Sequence, residues 1–117
     1  MQIPRQAQLL RIFVGEANEL DDTPFYQAVV LKAREMGIAG ATVLRGSVGY
    51  GHKSELHTSK ILRLSDDLPL VIEIVDSPEK IAAFLPALEA MFGESGGSGL
   101  ATMENVQVLQ YGPQTAG

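Results

Sequence analysis

Twice in this chain a strand-patterned run gives way to a hydroxyl residue and a proline, and then to apolar residues at helical spacing. The first run is "QLLRIFVGE" (8–16), where Leu10, Ile12 and Val14 alternate with Leu9, Arg11 and Phe13, the period of a strand. After the loop "ANELDDT", Thr23 reads as an N-cap and Pro24 as the first helical residue, with Asp21 and Asp22 near the positive helix end. Phe25, Val29, Ala33 and Met36 form one stripe, which predicts a helix over 24–36. Gly37 is its natural stop, because glycine takes the left-handed cap conformation without penalty. The second run is "LVIEIVD" (70–76), followed by Ser77-Pro78-Glu79 and a helix over 78–92 that carries Ile81, Phe84, Leu85, Leu88 and Met91.

Strands are also predicted at "ATVLRG" (41–46) and "ENVQVLQY" (104–111), with "KILRL" (60–64) as a short extended return. The order is β-α-β-β-α-β, although no sequence repeat accompanies it. Right-handed crossovers then favour an α+β, ferredoxin-like architecture: a four-stranded antiparallel sheet with two helices on one face and a long loop between the second and third strands. Leu9, Phe13, Val71 and Val75 would lie on the uncovered face, and that apolar load implies an oligomer. A length of 117 residues suits a single domain. Its core is expected over residues 8–111, with a flexible loop at about 46–60 and a flexible tail at 112–117.

Cysteine is absent, which excludes disulfides, thiolate metal sites and cysteine nucleophiles. No segment reads as a signal peptide or a membrane span, so a bacterial, cytoplasmic protein without direct membrane insertion is the expectation. The net charge is −5, but it is unevenly spread. Between residues 45 and 63, Arg45, Lys53, Lys60 and Arg63 stand against Glu55 alone. An acidic body argues against nucleic acid as a partner, because that binding needs many phosphate contacts. A local basic island suits one small anion.

That island lies in "LRGSVGYGHKSELHTSKILRL" (44–64), where Gly46, Gly49 and Gly51 allow sharp turns or close approach to a ligand. The order G-x-x-G-x-G is not a dinucleotide fingerprint, and no helix follows. "GSVGYGHKS" imitates a phosphate-binding loop, but His52 separates Gly51 from Lys53 and breaks the required glycine-lysine pair. His52 and His57, with Glu55 between them, fall short of the three or four convergent ligands of a zinc site. No spacing fixes a catalytic triad on His57. The residues therefore point to a phosphate or nucleotide grip. Arg45, His52, Lys53, His57, Lys60 and Arg63 supply cationic or polar donors, and the glycines admit the ligand. The second glycine-rich loop, 93–99, would add backbone N–H groups through Gly97 and Gly99.

Several stretches carry a resemblance: "LRIFVGE", "AREMGIAGATVLRGSVGYG", "HTSKILRLSDDLPLVIEIVD", "KIAAFLPALEAMF" and "GLATMENVQVLQY". Over roughly residues 8–111 the chain resembles domain-of-unknown-function family 190, an uncharacterised bacterial and archaeal family grouped with the PII-like (GlnB-like) proteins. The resemblance implies a PII-like trimer with a signalling role, adenine nucleotide held in clefts between subunits, and a loop that docks a partner such as a membrane transporter. By position, the ligand would meet Arg45 to Lys60 and Gly93 to Thr102. The modified tyrosine motif of PII is missing, although Tyr50 lies in the loop. The second loop has no basic residue between Gly93 and Gly99. Neither uridylylation nor ATP specificity therefore carries over. Two other functions share such a fold or its residues: a divalent-metal-binding trimer of the cation-tolerance type, joining copies of His57 around a threefold axis, and a small hydrolase using His57 as base.

Overall fold

The computed structural model describes residues 5–50, 57–58, 68–96 and 99–113, with 57 and 58 described as backbone. Four strands form the main sheet: β1 (Gln6–Gly15), β4 (Ala41–Arg45), β7 (Pro69–Asp76) and β8 (Leu100–Gln107), in the order β4-β7-β1-β8 with every neighbouring pair antiparallel. The helices are α1 (Phe25–Glu35) and α2 (Pro78–Ser95). Two short ribbons complete the element set, β2 (Glu19–Leu20) with β3 (Thr23–Pro24), and β5 (Val48–Gly49) with β6 (His57–Thr58). The chain thus has the expected ferredoxin-like α+β fold.

Alternation decides which face of the sheet the helices cover. Leu10, Ile12 and Val14 of β1 lie opposite Ile74, Ile72 and Leu70 of β7, and all six are buried with Phe25, Val29, Ala33, Ile81, Phe84 and Leu88 in one core. Helix α1 ends as expected at Gly37, whose φ is +75°. The Gly37 N–H donates to the Arg34 carbonyl at 3.1 Å and the Ile38 N–H to the Ala33 carbonyl at 3.0 Å, the paired bonds of a Schellman cap. Helix α2 starts as expected on Ser77, whose Oγ accepts from the Lys80 N–H at 3.1 Å. It runs three residues past the predicted end, to Ser95, where Gly96 closes it at φ +64°. Buried Asp76 joins the two halves. Its carboxylate accepts from the Ala39 N–H at 2.8 Å and from the Ser77 N–H at 2.6 Å.

Three further expectations change. Thr23 does not cap α1. Pro24 stands at the cap position with no side-chain bond, and Thr23 pairs with Leu20 across the turn residues Asp21 and Asp22. Both aspartates have positive φ, 50° and 66°, the geometry of a type I′ hairpin, so the local turn takes Thr23 before the helix can use it. Met36 leaves the α1 stripe and is exposed, because it falls at the cap, outside the last helical turn. The last strand is Leu100–Gln107 rather than 104–111, since pairing with β1 sets Leu100 opposite Phe13 and ends at Gln107 opposite Gln6. The predicted return at 60–64 lies outside the described residues. Replacing Asp21-Asp22 by Asn-Gly suits the positive φ values better, and thermal denaturation of that variant should show stabilisation of about 1 kcal/mol.

Opposite the helices, the other face carries three rows across the strands. The first is wholly apolar: Leu44, Val71, Phe13 and Leu100 stand side by side on all four strands. Leu44 and Leu100 are 50% and 58% exposed. The second row is Thr42, Glu73, Arg11 and Thr102. The third sets Val75 beside Leu9 and Glu104. Arg11 bonds Glu73 at 3.0 Å and Glu104 at 2.5 Å. The four residues expected on this face are all there, as the register requires.

Candidate anion-binding site

Arg45 is the last residue of β4, where the chain leaves the sheet for the long connection to β7. Its register partner is Leu70, which puts it on the helix side of the sheet. Glu16 follows β1 directly, and its N–H donates to the Leu68 carbonyl at 2.8 Å. Both β4 and β1 flank β7, so Arg45 and Glu16 approach each other across the start of that strand. Arg45 Nε donates to Glu16 Oε1 at 3.3 Å, and Arg45 Nη2 donates to Glu16 Oε2. The hydrogen bond from Glu16 and its negative charge hold the Arg45 guanidinium above its ordinary pKa, with Tyr26 of α1 adding slightly. A full positive charge with a two-donor edge therefore stands at the root of the connection.

The glycines beside it are explained by one neighbour. The Gly46 N–H donates to the Pro69 carbonyl at 2.7 Å. A Cβ at Gly46 would lie 2.9 Å from Pro69 Cγ, and one at Gly49 would lie 3.1 Å from the same atom. The close approach that glycine permits is thus made by Pro69. Beyond it, Val48 pairs with Thr58 and Gly49 with His57, so the two sides of the connection leave the sheet as a paired ribbon. Tyr50 at its end is 70% exposed. Gly99 is also a packing glycine, because a Cβ there would lie 2.6 Å from Phe92 Cε1 and 2.9 Å from the Phe13 carbonyl oxygen.

The structure brings Arg45, Gly46, Gly49 and the His57 backbone to one end of the sheet. Gly51, His52, Lys53, Lys60, Arg63 and Gly97 lie outside the described residues. Among the described residues no group of three or more histidines and carboxylates is placed to hold a metal ion. No helix among them is long and apolar enough to cross a membrane. Glu16 was not foreseen. Its signal was the strand order itself, which places the ends of β1 and β4 on either side of β7.

The family model DUF190, described as "Uncharacterized ACR", matches residues 7–108. A UPF0166 protein of Aquifex aeolicus is 39% identical over 102 residues, which cover 87% of this chain and 92% of that protein. A UPF0166 protein of Methanocaldococcus jannaschii is 34% identical over 91 residues, covering 78% and 83%. Among solved structures, the chain is similar to CPII, a nitrogen regulatory PII-like protein of Thiomonas intermedia bound to ADP, AMP and bicarbonate. The TM-score is 0.68 at 17% identity, over 90% of each chain. A putative PII-like signalling protein of Thermus thermophilus gives 0.62 at 20% identity, over 92% and 93%. At these identities the likeness establishes a common PII-like fold.

Proposed function

This chain belongs to the DUF190 family, and from that premise we propose that it is a PII-like regulatory protein rather than an enzyme. It forms a homotrimer that holds a small anionic ligand, an adenine nucleotide, in clefts between subunits. Its 46–60 loop docks a protein partner, for which a membrane transporter is one candidate. The observation that carries this reading is the fold shared with CPII, which is bound to ADP, AMP and bicarbonate. Arg45 supports it locally, as a cation on the rigid edge of the sheet at the root of the loop. His52, Lys53, His57, Lys60 and Arg63 would meet the ligand from the loop, and the 93–99 segment from the other side. The apolar row on the open sheet face supports the trimer. Ligand binding would favour one loop state over another, which is what a switch needs.

The test is a thermal-shift series with AMP, ADP, ATP, bicarbonate and divalent metal ions. Nucleotide at about a hundred times its Kd should add about 2.7 kcal/mol of stability. That gain should disappear in Arg45→Ala. A shift with divalent metal alone would replace this reading with a metal-binding trimer. No shift with any nucleotide would overturn it.

A further inference from the structure

We infer that Glu16 is an internal competitor for the anion that Arg45 binds, so that the charge of Glu16 sets the affinity of the site. The inference rests on the anion site proposed above and names its regulation. Arg45 carries five N–H donors, and the edge formed by Nε with Nη2 points at the Glu16 carboxylate. A phosphate group takes the same two-donor edge of a guanidinium. An anion that takes this edge must displace the carboxylate, and one that approaches the remaining donors still meets its negative charge, so Glu16 opposes binding either way.

The pair is built to exchange. The two side chains are 55% and 25% exposed, and an ion pair of that exposure is weak and screened. Glu16 is nevertheless always present, because its backbone N–H is bonded to the Leu68 carbonyl at 2.8 Å. It therefore acts at a high local concentration that dissolved anions must exceed. When an anion displaces it, the carboxylate has to swing away while its backbone stays bonded to Leu68.

The experiment is calorimetric titration of ADP into wild-type protein, Glu16→Gln, Glu16→Ala, Arg45→Ala and Glu16→Gln/Arg45→Ala. Removing the competing charge should tighten ADP binding about three- to tenfold in both Glu16 variants. The gain should vanish when Arg45 is also replaced. Equal or weaker binding in both Glu16 variants, with ADP still lost in Arg45→Ala, would overturn the competitor and leave the proposed site standing. Equal ADP binding in wild type and Arg45→Ala would overturn both. A second arm follows the Arg45 Nε–H resonance during titration with inorganic pyrophosphate. A response at lower pyrophosphate concentration in Glu16→Gln supports competition even if ADP fails to bind any variant. Indistinguishable titrations there overturn it.

Discussion

Replacing Phe25 with alanine should lower the unfolding free energy by about 3–5 kcal/mol. Phe25 is fully buried and opens α1, so its ring fixes where that helix meets the sheet. It also reaches α2, since its ring centroid lies 5.0 Å from that of Phe92, with the planes inclined by 32°. Such a pair adds stability beyond the area it buries. The cavity left by alanine would open at the junction of both helices and the sheet, where neighbouring backbone can collapse little. Small domains hold about 5–15 kcal/mol in total, so the variant should lose a large share. Urea denaturation followed by far-UV circular dichroism measures this, at one fixed protomer concentration because the proposed association would contribute to apparent stability. Phe25→Leu, which keeps most of the volume, should lose less than half as much. A loss below about 1 kcal/mol in Phe25→Ala would show that the two helices are anchored elsewhere.

The double substitution Leu44→Asp/Leu100→Asp should convert the proposed trimer into monomers while leaving the subunit folded. Both leucines are at least half exposed in the single chain, so neither aspartate disturbs the core under the helices. They stand at the two ends of the apolar row that crosses the sheet through Val71 and Phe13. In an assembly that buries this face, each carboxylate would be taken out of water beside aliphatic neighbours. That costs several kcal/mol per ion when no partner charge is supplied. Since each 1.4 kcal/mol is about a factor of ten, association should weaken more than about a thousandfold. The Arg11, Glu73 and Glu104 cluster in the next rows does not remedy this, because Arg11 is already engaged by both of its carboxylates. Light scattering coupled to size-exclusion chromatography gives the mass, and circular dichroism checks the fold. A wild-type monomer, or a trimeric double variant, would remove this face from the interface.

The site was less legible than the fold, and particular residues show why. Arg45 was singled out as a candidate by its charge and by its place at the end of a strand, and both are local properties. Its present partner, Glu16, is 29 residues away, and only the strand order brings the two together. Gly46 and Gly49 were read as allowing sharp turns or the approach of a ligand, and in the folded chain another segment comes close to them. The sequence could not say that Pro69 does so, since the two sides of that contact belong to different strands. Gly99 is similar, with Phe92 and the Phe13 backbone filling the space a side chain would need.

The contrast between the two hydroxyl-proline pairs marks the same boundary. Ser77-Pro78 became the cap and first turn of α2, as its local chemistry requires. Thr23-Pro24 has the same chemistry, but the preceding Asp21-Asp22 turn folds it back onto Glu19 and Leu20. The last strand differs for another reason. Nearly every residue of β8 is exposed, so no buried face marks its ends, and they are set by where β1 offers partners.

Local pattern in the chain was enough to specify the kind of each main element, the faces that β1, β7 and the two helices bury, the end of α1 at Gly37 and the start of α2 at Ser77. Those follow from the alternation of strands, the stripe of a helix and the conformational range of single residues, all of which act over a few positions. The limits of β8, the loss of Thr23 to a hairpin, the addition of Leu44 and Leu100 to the apolar far face and the pairing of Arg45 with Glu16 emerged with the folded sheet. Each of these depends on backbone hydrogen bonds or charges supplied by another segment, and no local pattern encodes which segment that will be.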